Sequence, residues 1–352
     1  MVASTHKSAQ LVPAFKRQFE LCALKPGETV VFLTDRDTDR EQVVAGLAAA
    51  AELGNVAYEI HVDLNMNIPF VGINPLSDQG VLEALKRAGL VIAFYVGFFA
   101  EWQPEIRKAG GRILNILDTS RQLLRLQGTP ALRAAAKAGE ARLRKAQRVR
   151  LTNAAGTDLR WEIDQQAPFL CHYGAADETG RMDHWGQGMI AHFPVEGSAS
   201  GRVVVQPGDV WIFPYQRFVS SPIELEVRDG FIREIGGGLD AKMFRYFLEE
   251  AQLSESDMDP FAISHMGWGL NPRARWDDTV AFNGNLEDLA ASARAYPGNF
   301  LFSTGPGYKR KTKGHIDMPM CDCTVELDGD VVVDRGRLVD PAMIADPERA
   351  YH

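Results

Sequence analysis

The first 150 residues alternate short apolar runs with amphipathic segments, a pattern typical of strands and helices in turn. Residues 29–33 predict a buried strand, and residues 40–53 predict the helix that follows it and stops at Gly54. Further strands are predicted at 56–62, 90–96 and 113–117, with a helix at 78–88. Short apolar runs separated by helices indicate a parallel sheet that is covered on both faces.

From residue 149 onward, apolar and polar residues alternate along several short segments, which predicts strands with one buried face. These segments lie at 149–153, 158–163, 223–227, 232–235 and 325–333. Turn residues between them indicate hairpins, with helices at 132–148, 242–252 and 286–294. We therefore predict an α/β protein with an N-terminal parallel α/β domain at 1–148. The C-terminal α+β domain at 149–352 has a largely antiparallel sheet and carries the metal site.

Composition and charge narrow the partners of this 352-residue chain. A formal net charge of -8 and a pI of about 5.6 give no field that would attract nucleic acid or an anionic membrane. The longest apolar run, residues 90–100, is far shorter than a bilayer span. Four scattered cysteines do not form a disulfide framework. We expect a cytoplasmic protein with neither nucleic acid nor membrane as a partner.

Residues 303–319 contain the most specific candidate chemistry. A loop rich in glycine and proline leads into His315-Ile316-Asp317, and a strand is predicted shortly afterwards at 323–327. Alternate side chains of an extended chain point the same way, so His315 and Asp317 would project from one face. An imidazole beside a carboxylate supplies two of the three ligands of a mononuclear ferrous site. A half-buried histidine that is hydrogen-bonded to its neighbouring aspartate is the alternative.

A second glycine-rich stretch, residues 263–272, contains His265 and Trp268. Glycines let a backbone bend closely around a ligand, and Trp268 offers a flat apolar wall. Together, His265, His315 and Asp317 would leave three positions on ferrous iron for substrate and dioxygen. The alternative for His265 is packing under Trp268. Zinc and manganese also accept these ligands, so the residues alone leave the metal open.

Other polar residues compete with that site or complement it. His61-Val62-Asp63 is a second His-x-Asp pair at the end of a predicted parallel strand, where ligands often bind. His184 and His192 lie among glycines and aromatics, and a neutral imidazole can take a proton from a ring hydroxyl and return it. Hydrogen-bonded core histidines are the alternative. The basic run at 309–313 either attracts an anionic substrate or is a solvated loop.

Three motifs stand out together: Asp183-His184-Trp185, the stretch at 264–272, and Gly314-His315-Ile316-Asp317-Met318-Pro319-Met320. They resemble the 2,5-dihydroxypyridine 5,6-dioxygenases of bacterial nicotinate degradation, whose length and domain order match nearly the whole chain. The resemblance implies a fold related to aminopeptidase T-like metallopeptidases. It also implies a mononuclear Fe(II) centre and an extradiol-type opening of 2,5-dihydroxypyridine, or a closely related hydroxylated N-heteroaromatic ring, to N-formylmaleamate.

The resemblance also assigns roles to individual residues. The ligands of Fe(2+) would be His265, His315 and Asp317. Acid–base groups would be His184 and His192. Beyond the resemblance, we expect Trp185, Trp268 and Ser303 to bind the substrate, and ordinary core tryptophans are the alternative for Trp185 and Trp268. The partners would be a small aromatic substrate and O2, and related folds favour a homo-oligomer. Two other classes stay open, a two-metal aminopeptidase T-like peptidase and a non-catalytic ligand-binding module.

Overall fold

The computed structural model describes residues 2–62, 78–94, 102–212, 215–277 and 292–346. The helices are α1 (Val2–Leu21), α2 (Arg40–Glu52), α3 (Gln79–Arg87), α4 (Trp102–Lys108), α5 (Ser120–Arg125), α6 (Pro130–Lys145) and α7 (Leu239–Glu250). The first strands are β1 (Thr29–Thr34), β2 (Val56–His61), β3 (Leu90–Ala93), β4 (Arg112–Asn115), β5 (Arg148–Thr152), β6 (Asp158–Glu162), β7 (Leu170–His172), β8 (Met182–His184), β9 (Met189–His192) and β10 (Ser200–Val205). The others are β11 (Val210–Trp211), β12 (Arg217–Phe218), β13 (Ile223–Arg228), β14 (Phe231–Gly237), β15 (Met266–Gly269), β16 (Phe300–Thr304), β17 (Ile316–Met320), β18 (Thr324–Leu327), β19 (Asp330–Asp334) and β20 (Arg337–Leu338).

The chain forms two compact units that do not follow a single cut in the sequence. The first unit contains Met1–Pro130 and His172–Gln187, and the second contains Ala131–Cys171 and Gly188–His352. We expected one boundary between residues 148 and 149. The units differ from that expectation because β8 returns to pair with β4 in the first unit, whereas helix α6 belongs to the second.

The first unit is built on a parallel five-stranded sheet in the order β2-β1-β3-β4-β8. The predicted parallel architecture is therefore confirmed, and Asp39 caps the predicted helix α2 by accepting from the Glu41 N–H. Helix α1 was not predicted, because polar residues hide its periodicity. Its buried face is formed by Leu11, Phe15 and Phe19, which lie four residues apart.

The second unit contains an eight-stranded sheet in the order β14-β13-β10-β6-β5-β18-β19-β20 and a five-stranded sheet in the order β17-β16-β15-β9-β7. The predicted hairpins β5–β6, β13–β14 and β18–β19 are all antiparallel, which confirms the expected class of this half. Trp161 of the larger sheet contacts Phe300 of the smaller one, with ring centroids 6.0 Å apart. Most of the helix predicted at 286–294 lies outside the described residues. None of the described helices is long and apolar enough to cross a membrane.

Candidate metal centre

The pairing of β9, β15, β16 and β17 decides which side chains share a face of the five-stranded sheet. Asp317 pairs with Ser303, and Leu301, two residues before Ser303, pairs with Gly267. Gly267 in turn pairs with Ala191. Directly paired residues project to the same face, as do residues two apart in one strand. Asp317 therefore lies on the face that carries Leu301 and Ala191.

His265 lies just before β15, at a β-bulge. Gly267 pairs with Leu301, whereas Ile263 bridges to Thr304, so four steps along one strand (267 to 263) oppose three along the other (301 to 304). A bulge bends its strand and re-aims a side chain, and bulges are frequent beside active sites. The sequence does not reveal this extra residue, because it depends on the register of a distant strand.

The side chains of His265, His315 and Asp317 meet at one point. Asp317 Oδ1 lies 3.5 Å from His265 Nε2 and 3.4 Å from His315 Nε2, and one ligand atom from each residue lies within 4.8 Å of the others. All three residues are buried. The histidine and carboxylate positions that the sequence predicted are thus brought together where two strands of one sheet, β15 and β17, begin.

Hydrogen bonds at Nδ1 orient both imidazoles, directly to a backbone carbonyl for His315 and through the Ser264 hydroxyl for His265. His315 Nδ1 lies 3.0 Å from the Thr304 carbonyl oxygen, which can only accept, so Nδ1 carries the proton. The Ser264 hydroxyl donates to the Pro306 carbonyl and is left to accept from His265 Nδ1 at 3.3 Å. In each ring the Nε2 lone pair is then available as a ligand, which is how metal-binding histidines are commonly fixed.

A buried arginine contacts the other oxygen of the carboxylate. Arg294 Nη2 lies 3.0 Å from Asp317 Oδ2, and both side chains are almost fully buried. Burial alone would raise the pKa of Asp317, but the neighbouring His315 imidazole, Arg294 guanidinium and His265 imidazole outweigh it and hold the pKa far below its usual range. Sequence reasoning missed Arg294. Its signal is a lone charge within Ala-Ser-Ala-Arg-Ala-Tyr, residues 291–296.

These residues fit a bound divalent metal. Asp317 Oδ1 is buried and accepts no hydrogen bond from the described part of the chain. Its distances to the two Nε2 atoms exceed those of charge-assisted hydrogen bonds, about 2.7–2.9 Å. Ligand atoms about 2.1 Å from one ion lie roughly 3.0–3.4 Å apart. Two imidazoles and one carboxylate form the donor set of non-haem Fe(II) oxygenases, although other divalent metals accept it.

An aromatic pair lies beside the three ligands. The Phe193 ring packs against His265 with centroids 5.9 Å apart, and the Tyr308 ring lies 6.3 Å from Phe193. Phe193 is buried, whereas Tyr308 is partly exposed. The sequence marked the segment for its histidine, His192, and the neighbouring Phe193 is the residue that contacts a candidate ligand.

His192 and Trp268 are placed differently from the sequence expectation. Ala191 and Gly267 lie on the same face as Asp317, and His192 and Trp268 are the next residues along their strands. Because successive side chains of a strand point to opposite faces, both project from the other face. On that face, Trp161 donates a hydrogen bond of 2.8 Å to His192 Nε2. Trp268 is fully buried. The alternation of the strands therefore places both side chains on the face opposite Asp317, and their predicted roles beside a bound ring stay predictions.

Two other expectations concern Ser303 and the glycines around His265. The Ser303 hydroxyl donates a 2.5 Å hydrogen bond to the His265 carbonyl, which fixes the backbone at the bulge. Substrate binding by Ser303 stays a prediction. Gly267 serves close strand packing rather than a bend around a ligand, because a Cβ there would lie 1.9 Å from the Ile190 carbonyl oxygen.

The remaining predicted residues lie in the first unit. His184 ends β8, and its ring meets that of His172 edge-on with centroids 5.1 Å apart. Trp185 is fully buried and packs edge-on against Phe15 at 4.8 Å. Their catalytic and substrate-binding roles stay predictions. In the competing pair, His61 lies 3.3 Å from the Thr34 hydroxyl, while residue 63 is outside the described residues.

The chain is similar to known proteins over nearly its whole length. Residues 10–340 match the 2,5-dihydroxypyridine 5,6-dioxygenase family, NicX. The chain is 33% identical over 347 residues to a 2,5-dihydroxypyridine 5,6-dioxygenase of Pseudomonas putida strain KT2440, covering 95% of this chain and 97% of that protein.

Two solved structures are also similar. The 2,5-dihydroxypyridine dioxygenase structure from Pseudomonas putida KT2440 matches with a TM-score of 0.89 and 31% identity, over 96% of this chain and 99% of that one. Wild-type AmpT from Thermus thermophilus matches with a TM-score of 0.58 and 14% identity, over 94% and 99%, which shows a shared fold alone. The chain belongs to the 2,5-dihydroxypyridine 5,6-dioxygenase family and is a dioxygenase.

Proposed function

We propose that this protein opens 2,5-dihydroxypyridine with dioxygen to N-formylmaleamate at a mononuclear Fe(2+) centre held by His265, His315 and Asp317. The observation that carries the proposal is the convergence of two Nε2 lone pairs and one unpartnered carboxylate oxygen at a buried point. The relative's activity, named for the same ring, supports this substrate.

The proposed reaction is balanced by its two substrates. The bond between C5 and C6 of the ring breaks, and each of these carbons gains one oxygen atom from O2. The former C5 becomes the carboxylate and the former C6 becomes the formyl group on nitrogen. The ring supplies the electrons, so no further reductant is needed. Fe(2+), when bound, would supply open positions for the ring hydroxyl and dioxygen and a path for electrons between them.

The chain's own groups prepare the site. The carbonyls of Thr304 and Pro306, the latter through Ser264, keep the His315 and His265 lone pairs directed inward. Phe193 packs beside His265 and provides an apolar surface, which would exclude water from one side of the three metal ligands. Proton transfer from the ring hydroxyl by His184 stays a prediction, to be tested with His184→Gln.

A two-metal peptidase has less support. Such sites need a bridging carboxylate and additional acidic ligands for the second ion. Among the described residues, one group of at least three possible ligand side chains lies close together, and it consists of His265, His315 and Asp317. Arg294, a cation, lies against the second oxygen of Asp317, where a second metal would have to bind.

The test loads the protein with Fe(II) without oxygen and then mixes it with 2,5-dihydroxypyridine in air-saturated buffer. Oxygen uptake and the ultraviolet absorbance of the ring are followed together. Equal consumption of ring and O2, lost in His265→Ala and Asp317→Asn but kept in the control His61→Ala, supports the proposal. Oxygen uptake with other hydroxylated rings alone would change the substrate. Absence of uptake with any ring, together with peptide hydrolysis and two metals per chain, would overturn it.

A further inference from the structure

The two oxygens of Asp317 have different surroundings. Oδ1 faces both imidazole Nε2 atoms at 3.4 and 3.5 Å, whereas Oδ2 lies 3.0 Å from Arg294 Nη2. We propose that Arg294 is a positioning residue that confines Asp317 to metal binding through Oδ1 alone. This inference rests on the proposed function, because it concerns the coordination of the metal in that site.

The physical reason lies in how carboxylates bind metals. A carboxylate with a free second oxygen binds an ion through one or both oxygens with little rearrangement. A guanidinium is planar, is permanently charged and donates in a fixed geometry, so it holds Oδ2 against rotation. Arg294 is suited to this role because it is nine-tenths buried and therefore has little freedom to move to solvent.

This restraint matters because it sets how many coordination positions of the metal stay open to reactants. A six-coordinate metal held by two imidazoles and one oxygen of Asp317 would keep three positions open for reactants. The ring hydroxyl and dioxygen would each take one of these positions. If Oδ2 also bound the metal, only two positions would remain, and the ring hydroxyl and dioxygen would have to occupy both.

Stability alone does not account for Arg294. Removing two charges from water is costly, and apolar side chains of similar volume often serve a protein interior equally well or better. The Arg294 guanidinium instead lies against the carboxylate whose other oxygen accepts no hydrogen bond from the described residues. The cation therefore lies where it separates the roles of the two oxygens.

Cobalt(II) provides a readout that does not depend on activity. The metal-free protein is titrated with Co(II), and its visible absorption, which weakens as coordination number rises, is recorded for wild type, Arg294→Met and Arg294→Lys. We expect Arg294→Met to lose band intensity and Arg294→Lys, which keeps a cation, to retain more of it. Arg112→Met is the control, because Arg112 is a buried arginine that binds Glu28 in the first unit.

A second measurement uses only the wild-type protein, in case Arg294→Met does not fold. Infrared difference spectra upon metal binding, with ¹³C-labelled aspartate, distinguish one-oxygen from two-oxygen binding by the separation of the carboxylate stretches. One-oxygen binding in the wild-type protein supports the inference. We also expect a loss of roughly 10- to 100-fold in activity of Arg294→Met, as for other groups that orient metal ligands.

Two results would overturn the inference: two-oxygen binding in the wild-type protein, or cobalt spectra of Arg294→Met that equal those of wild type. Either result leaves the proposed function intact as long as wild type still consumes ring and oxygen together. If wild type binds metal through Asp317 Oδ1 alone but does not open the ring, the proposed function fails while the assignment of Arg294 stands.

Discussion

Trp161 donates its indole N–H to Nε2 of His192 at 2.8 Å, and the two rings stack with centroids 5.9 Å apart at an interplanar angle of 16°. Nε2 therefore keeps a lone pair, and the proton of the neutral ring lies on Nδ1. Burial, together with the neighbouring His265, lowers the pKa of His192 to about 3. Protonation at Nε2 would also break the bond to Trp161.

This pairing predicts a loss of stability in mild acid. The unfolded chain binds a proton at His192 below pH 6.5, whereas the folded protein does so only near pH 3. The unfolded state is therefore favoured as the pH falls through 6.5, by up to about 1.4 kcal/mol per pH unit. Thermal unfolding between pH 5 and 8 should show a shallower slope in His192→Gln than in wild type. An unchanged slope, equal to that of the control His61→Gln, would contradict this assignment.

The three candidate ligands predict a specific pattern of metal loss. His265→Ala and His315→Ala each remove one Nε2, so metal content per chain should fall from one to near zero. Asp317→Ala should in addition lower stability by about 3–5 kcal/mol, because it leaves the buried Arg294 without its carboxylate. Metal analysis after gel filtration and urea unfolding measure the two effects. Full metal retention in any of these variants would remove that residue from the ligand set.

The double variant, Asp317→Ala with Arg294→Met, separates the loss of a metal ligand from the loss of the buried ion pair. It removes both charges, so stability should recover by a few kcal/mol relative to Asp317→Ala alone, while metal stays lost. If stability does not recover, the buried ion pair is not the cause of the destabilisation.

Local sequence patterns were sufficient for the strands and helices whose burial is regular. Residues 29–33 and the hairpin segments at 149–163 alternate or cluster apolar residues clearly, and the structure has strands there. His315 and Asp317 share a face because they lie two residues apart in an extended segment, which is a local property. These features do not depend on where the distant parts of the chain pack.

Features that depend on strand register could not be predicted in this way. His192 and Phe193 are adjacent in sequence, yet the pairing of Ala191 with Gly267 places His192 on the face opposite Asp317. Arg294 contacts Asp317 from a segment with no motif of its own. Tertiary packing decides on which face His192 lies, and it also brings Arg294 to Asp317, which is 23 positions away in the sequence. Without that packing, the sequence drew attention to the reactive histidine, His192, and not to Phe193 or Arg294.

Phe193 and Trp268 provide a matched test of the two faces. Phe193→Leu removes an aromatic ring beside His265 and should raise KM for the ring substrate by about 2- to 10-fold, the equivalent of about 0.5–1.5 kcal/mol. Trp268→Leu should leave KM unchanged but lower stability by on the order of 2–4 kcal/mol, since Trp268 is a fully buried core residue. Steady-state kinetics and urea unfolding of both variants measure this contrast. The reverse pattern would place the substrate against Trp268.

Arg310 links the loop at 305–314 by hydrogen bonds to Ile263 and Glu196. Its guanidinium donates to the Gly305 carbonyl at 2.8 Å, to the Ile263 carbonyl at 2.9 Å and to Glu196 at 2.7 Å. The basic run thus includes a structural arginine and is not wholly a solvated loop. Pro306 lies in the same loop and accepts the Ser264 hydroxyl that orients His265, so the loop and the ligand are linked.

Arg310→Met is therefore expected to loosen the loop and weaken the metal site together. Amide hydrogen exchange at 305–314 should become faster, because the hydrogen bonds of Arg310 to Gly305, Glu196 and Ile263 are lost. Metal affinity should fall by roughly 10-fold, the lower end of the effect of groups that orient ligands. Lys313→Met removes an exposed charge from the same loop and serves as the control, with both properties near wild type. Faster exchange with unchanged metal affinity would show that the loop does not hold His265 in place, and equal effects in both variants would trace them to charge alone.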